Sequence, residues 1–70
     1  MAQGYNAELV GWAEAFLIFA RNEDDDSVTA EHDQIWVGDD PDKYSQQDRE
    51  TLEALGWQID SDVNRWTMYL

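Results

Sequence analysis

Three stretches of the chain hold residue types that metal binding or catalysis would use. Asp60-Ser61-Asp62-Val63-Asn64 reproduces the first half of a calcium loop, where side-chain oxygens at alternate positions close around the ion. The next position should be the glycine that makes the sharp turn, and it is Arg65. The closing bidentate acid would fall past Leu70. The stretch is therefore expected to be a four-residue hairpin loop, residues 61–64, without metal. His32-Asp33 has the composition of half a general-base pair. It has no cysteine nucleophile to serve, and Ser27 and Ser45 sit in loop and cap contexts. A lone histidine with no second ligand is also a poor metal site, so a hydrogen-bonded His at a bend is expected. Neighbouring carboxylates are frequent, but 16 acidic residues in 70 generate such pairs by chance. Neither an enzyme activity nor a cofactor is expected.

The elements that must position these residues are clearest in residues 45–70. Ser45 is a helix N-cap residue, with Asp48 in the first turn. Leu52 and Leu55 mark an apolar stripe, and Gly56 stands where a helix-stopping glycine belongs. The period then becomes two: Trp57 and Ile59 alternate with Gln58 and Asp60, and Trp66, Met68 and Leu70 with Arg65, Thr67 and Tyr69. Nearer the start, Asn6 caps a first helix with Glu8 in its first turn. Its apolar stripe reads Leu9, Trp12, Ala13, Phe16, Leu17 and Ala20, widened by Val10, Ile18 and Phe19, so more than one side of the helix should be covered. This helix should end near Arg21 or Asn22.

Residues 28–37 read as extended, but Val28 and Ala30 alternate one residue out of step with Ile35 and Val37. A bulge or a tight turn near Glu31-His32-Asp33 would reconcile them. This leaves either one bulged strand or a short hairpin arm followed by a strand. Residues 38–42 are a loop that Pro41 prevents from continuing as a central strand. The expectation is an α+β domain over residues 1–70, with two helices on one face of a small, mainly antiparallel three-stranded sheet in the order α-β-α-β-β.

Charge bounds the function. Sixteen acids against four bases give a formal net charge of −12. Direct binding to nucleic acid or to an anionic membrane is disfavoured, and a basic protein surface is the natural partner. The field repels itself, so the isolated fold should lose stability at low salt. Without Cys there is no disulfide framework or thiolate zinc site. Four Trp, three Tyr and two Phe supply core area instead. No secretory leader is read near Met1, and the longest apolar run, residues 15–20, is far shorter than the ~20 residues of a membrane span.

The partner surface is read from the acidic turns. Glu23, Asp24, Asp25 and Asp26 follow the first helix, where acids oppose its dipole. Glu31 and Asp33 flank His32, and Asp39, Asp40 and Asp42 form the third group. Alternate residues of an extended backbone lie ~6.6 Å apart, about two base-pair rises of ~3.4 Å. Rows of carboxylates at that spacing would occupy phosphate sites of a nucleic-acid-binding protein. The competing reading is salt adaptation, which one Lys against three Arg and the excess of Asp fit equally. Trp36, Gln58, Arg65, Thr67 and Tyr69 should share the sheet face opposite the helices, making Trp36 and Tyr69 aromatic anchors for a partner. A monomer is expected.

His32-Asp33-x-Ile35-Trp36-Val37-Gly38, then Ser45-x-x-Asp48, Leu52-x-x-Leu55-Gly56-Trp57-x-x-Asp60 and Trp66, resembles a pattern of small phage and prophage proteins over residues 28–70. Its residues look structural, so this resemblance implies fold more than function. In size and acidity the chain is also similar to anti-CRISPR proteins that mimic DNA, particularly the small acidic inhibitors of type I-C Cascade. That resemblance implies binding to the basic surface of the large Cas8 subunit, blocking recognition of target DNA and its PAM, in the cytoplasm of an infected bacterial host. It carries over no particular residue.

Overall fold

The computed structural model describes residues 6–24 and 27–70. Helix α1 is Ala7–Asn22 and helix α2 is Gln46–Ala54. The strands are β1 Val28–Glu31, β2 Gln34–Val37, β3 Gln58–Asp60 and β4 Arg65–Tyr69, with a 3-10 turn at Pro41–Lys43. The class is α+β as expected, but the sheet has four strands rather than three, and the order is α-β-β-α-β-β. All pairings are antiparallel, in the spatial order β1-β2-β4-β3.

The extra strand comes from residues 28–37. A two-residue turn, His32-Asp33, joins β1 to β2, and His32 takes φ +51 there. Histidine is among the non-glycine residues enriched at positive φ. Of the two readings left open, the hairpin is the one observed. Val28 pairs with Val37 and Ala30 with Ile35, so all four side chains lie on one face and the apparent slip of register disappears.

The local signals act as expected. Asn6 accepts hydrogen bonds from the backbone N–H groups of Glu8 and Leu9, and Ser45 from that of Asp48. Gly56, at φ +102, closes α2: its N–H donates to Glu53 O and that of Trp57 to Leu52 O, the paired bonds of a Schellman cap. The 61–64 loop is a hairpin loop. Asp60 accepts from the N–H of Asp62 through its side chain and from that of Asn64 through its carbonyl, and Asn64 sits at φ +57.

One core joins both helices to the sheet: Ala15, Ile18 and Phe19 of α1, Tyr44, Leu52 of α2, and Val37, Trp57 and Trp66. Edge-to-face ring contacts link Phe19 to Trp57 at 4.9 Å and Tyr44 to Trp66 at 5.8 Å. The stripe expected to bury α1 is corrected here. Leu9 and Leu17 are 65% and 63% exposed, Phe16 is exposed at its edge, and Ala13 and Ala20 face outward. The buried stripe is Trp12, Ala15, Ile18 and Phe19. α1 is apolar on two sides, and the sheet takes the side rotated by about a third of a turn from the expected one.

Candidate functional site

The residues singled out for charge fall at the two ends of the β1–β2 hairpin rather than in one row. At the open end, the N–H of Gly38 donates to Ser27 O at 2.7 Å, which holds the segments around Asp24 and around Asp39 to Asp42 side by side. Glu31 and Asp33 lie at the turn end, four residues of strand away, or roughly 13 Å. The strands themselves carry no alternating acids: β1 is Val-Thr-Ala-Glu and β2 is Gln-Ile-Trp-Val. The acids expected on the turns around the first strand stand at its two ends among the described residues, and none repeats at alternate positions within β1 or β2. Asp25 and Asp26 lie outside the described residues.

The acids at the open end are not equivalent. Glu23 caps α1 in extended conformation, so the chain leaves the helix at once. Its side chain is only 6% exposed, accepting from the Tyr44 hydroxyl at 2.5 Å and from Lys43 Nζ at 2.9 Å. Glu23 thus serves the fold. Lys43 also donates to Asp39 at 2.8 Å. The Lys43 hydrogen bond holds the Asp39 carboxyl below its ordinary range, and the two carboxylates raise Lys43. Asp42 approaches Arg49 at 3.9 Å while staying exposed. Asp24 and Asp40 are exposed.

Burial first, and then the hydrogen bond to Glu23, push the Tyr44 phenol well above its usual range. The linkage has a definite sign. Below a phenol pKa of ~10 both folded and unfolded chains keep the proton, so the stabilisation is complete. Above it the unfolded chain ionises first, and stability falls as pH rises. Urea unfolding between pH 8 and 11.5 should show this fall, with a shallower slope for Tyr44→Phe. An equal slope would remove Tyr44 as its source.

On the face opposite the helices, the expected set is assembled. Trp36 stands opposite Thr67, Thr67 opposite Gln58, and Gln34 opposite Tyr69. Thr67 is buried there, donating to Ile35 O and accepting from Gln34 Nε2. Trp36 is half-buried, and its indole N–H donates to Asp60 Oδ2 at 3.0 Å. That bond and the Asp62 turn engage both oxygens of Asp60. Tyr69 is 61% exposed and is the open aromatic of this face. His32 serves the hairpin turn. Among the described residues, no three His, Asp or Glu side chains converge as a metal-binding group.

Each of the four Lys and Arg side chains has a partner within the fold. Arg21 pairs with Asp48 at 2.9 Å, Lys43 with Glu23 and Asp39, and Arg49 with Asp42. Arg65 spreads over the Gly38 and Ser27 carbonyls and the Thr29 hydroxyl. The exposed remainder, including Glu8, Glu14, Asp24, Glu31, Asp33, Asp40, Glu53 and Asp62, is carboxylate.

No family model, curated protein or solved structure matches the chain. Among the described residues, no helix is long and apolar enough to cross a membrane.

Proposed function

We propose that this protein is a non-enzymatic acidic inhibitor that docks on a basic, nucleic-acid-binding surface of another protein and excludes the nucleic acid. The observation that carries this reading is that all four Lys and Arg side chains are paired within the fold, so that the unpaired exposed charges among the described residues are carboxylates. A partner rich in Lys and Arg would meet acidic ends at both sides of the β1–β2 hairpin, where Lys43 is already paired to Glu23 and Asp39. Exposed charges of this kind mainly accelerate association, whereas desolvated contacts set dissociation. Among such partners, the Cas8 subunit of a type I Cascade, blocked at target-DNA and PAM recognition, is the first to test.

Phage plaquing on bacteria carrying defined CRISPR systems, with and without this protein, is the direct test. Relief of one system alone supports the reading and names the effector; relief of none removes the anti-CRISPR assignment. Against a purified effector that responds, the triple reversal Asp24→Lys, Asp40→Lys and Asp42→Lys should slow association by about tenfold or more at low salt while dissociation changes little. Unchanged association would place the contact away from the open end of the hairpin. The reversal Asp24→Lys, Asp25→Lys and Asp26→Lys tests the adjoining turn in the same way.

A second reading, a phage accessory protein adapted to high salt, draws on the spread of exposed acids beyond the hairpin ends, at Glu8, Glu14, Glu53 and Asp62. Circular dichroism across salt concentration separates the two. Unfolding below about 1 M salt favours adaptation, since ordinary surface charge is already screened within ~10 Å at 0.1 M. A stable fold in dilute buffer favours charge used for binding.

A further inference from the structure

The outer side of α1 is a second, largely open apolar face among the described residues, with only Phe16 turned partly against Trp57. Leu9, Ala13, Phe16, Leu17 and Ala20 all face outward, within about a quarter of the helix circumference at 3.6 residues per turn. The stripe does not stop at the helix. Phe16 and Ala20 also form one wall of a groove of about 440 Å³, whose other wall is Val28 and Val37 of the β1–β2 hairpin. Val28 is 51% exposed, and β1 is an edge strand of the sheet. Contiguous apolar surface of this kind on a small domain marks an interaction site.

Its surroundings select the occupant. Asp24 lines the groove, and Glu14 sits one turn from Leu17 on α1. Arg21, the cation of this helix, is held by Asp48 of α2. A second copy of the chain would bring two formal charges of −12 together across the stripe, whereas a cationic protein gains from the same field. We infer that the α1 stripe and its groove seat an apolar side chain of a basic protein partner, flanked by Lys or Arg that meet Asp24 and Glu14. The inference rests on the inhibitor reading for the sign of the partner's charge, and it moves the apolar anchor from Trp36 and Tyr69 to the opposite side of the molecule. Apolar anchors in desolvated pockets carry most of the binding energy of such interfaces, with charge at the rim.

Two synthetic peptides of equal charge make the test, one alternating Leu and Lys and one alternating Ser and Lys, titrated against the full chain at 150 mM salt. The Leu peptide should bind at least about tenfold more tightly. That ratio should fall towards one in Leu9→Ser/Leu17→Ser and persist in Tyr69→Ser. Leu9 and Leu17 are mostly exposed, so the double variant should keep its circular dichroism spectrum; Leu17→Asn alone serves if it does not. A ratio near one for the wild-type chain, or one that survives loss of both leucines, overturns the inference. In that case salt-sensitive binding of both peptides, weakened by the Asp24, Asp40 and Asp42 reversal, still supports a basic partner. Failure of both peptides to bind removes that support as well. Sedimentation of a dimer that Leu9→Ser/Leu17→Ser dissociates would assign the stripe to self-association and overturn the inference too.

Discussion

Gly38→Ala should lower the unfolding free energy by about 2–4 kcal/mol, a large share of what a domain of this size possesses. Two independent causes add. Gly38 holds φ +75, where a residue with a Cβ pays about 1–2 kcal/mol. The added methyl would also collide with the Glu23 carboxylate and lie 3.2 Å from the Tyr44 hydroxyl. Glu23 is nearly buried and anchored by both Tyr44 and Lys43. Displacing it loosens hydrogen bonds to a charged group, each worth about 1.5–3 kcal/mol. A double-mutant cycle in urea isolates the second cause. In a Glu23→Ala background, the cost of Gly38→Ala should shrink to about the backbone term. If the two substitutions add independently, the glycine is required by its dihedral alone.

This cluster shows where the sequence was legible and where it was not. The caps at Asn6 and Ser45, the stop at Gly56 and the 61–64 loop were readable because each is a bond between residues a few positions apart. The sheet face bearing Trp36, Thr67 and Tyr69 was readable because strand alternation survives any choice of neighbour. Glu23 was not. It looks like one more acid in a run of four, and its partners stand 20 and 21 residues further on. The buried side of α1 was illegible for another reason. Apolar residues surround most of that helix, so periodicity offers two stripes of similar strength. Which one is buried follows from where Trp57 and Trp66 stand, a tertiary fact. The surplus itself was legible in Val10, Ile18 and Phe19; what failed was the expectation that more than one side is covered, since Leu9 and Leu17 stay exposed among the described residues. The parity slip between Ala30 and Ile35 did mark the hairpin, and only the positive φ of His32 decided between turn and bulge.

Arg65 carries the other large expected effect, and even a charged replacement should fall well short of restoring it. It stands opposite Asp60 on β3, yet its guanidinium turns the other way, across the end of β2 towards β1. Nε donates to Gly38 O at 2.7 Å, Nη2 to Ser27 O at 2.9 Å and Nη1 to the Thr29 hydroxyl at 3.1 Å. One side chain thus ties three strands together at the end of the sheet where Glu23, Asp24, Asp39, Asp40 and Asp42 gather. Arg65→Met removes those bonds, leaves half-buried carbonyls to find water, and deletes a cation from a chain with four. A loss of about 2–4 kcal/mol follows from several charge-assisted hydrogen bonds together. Arg65→Lys restores the charge but not the planar fork that reaches three acceptors at once, so it should recover less than half of the loss. Urea unfolding at two salt concentrations divides the effect. The part due to charge should shrink at high salt for Arg65→Met, while the geometric part, shared with Arg65→Lys, should remain. Full rescue by Lys would make Arg65 a counter-ion to the acidic end rather than the clasp that shapes it.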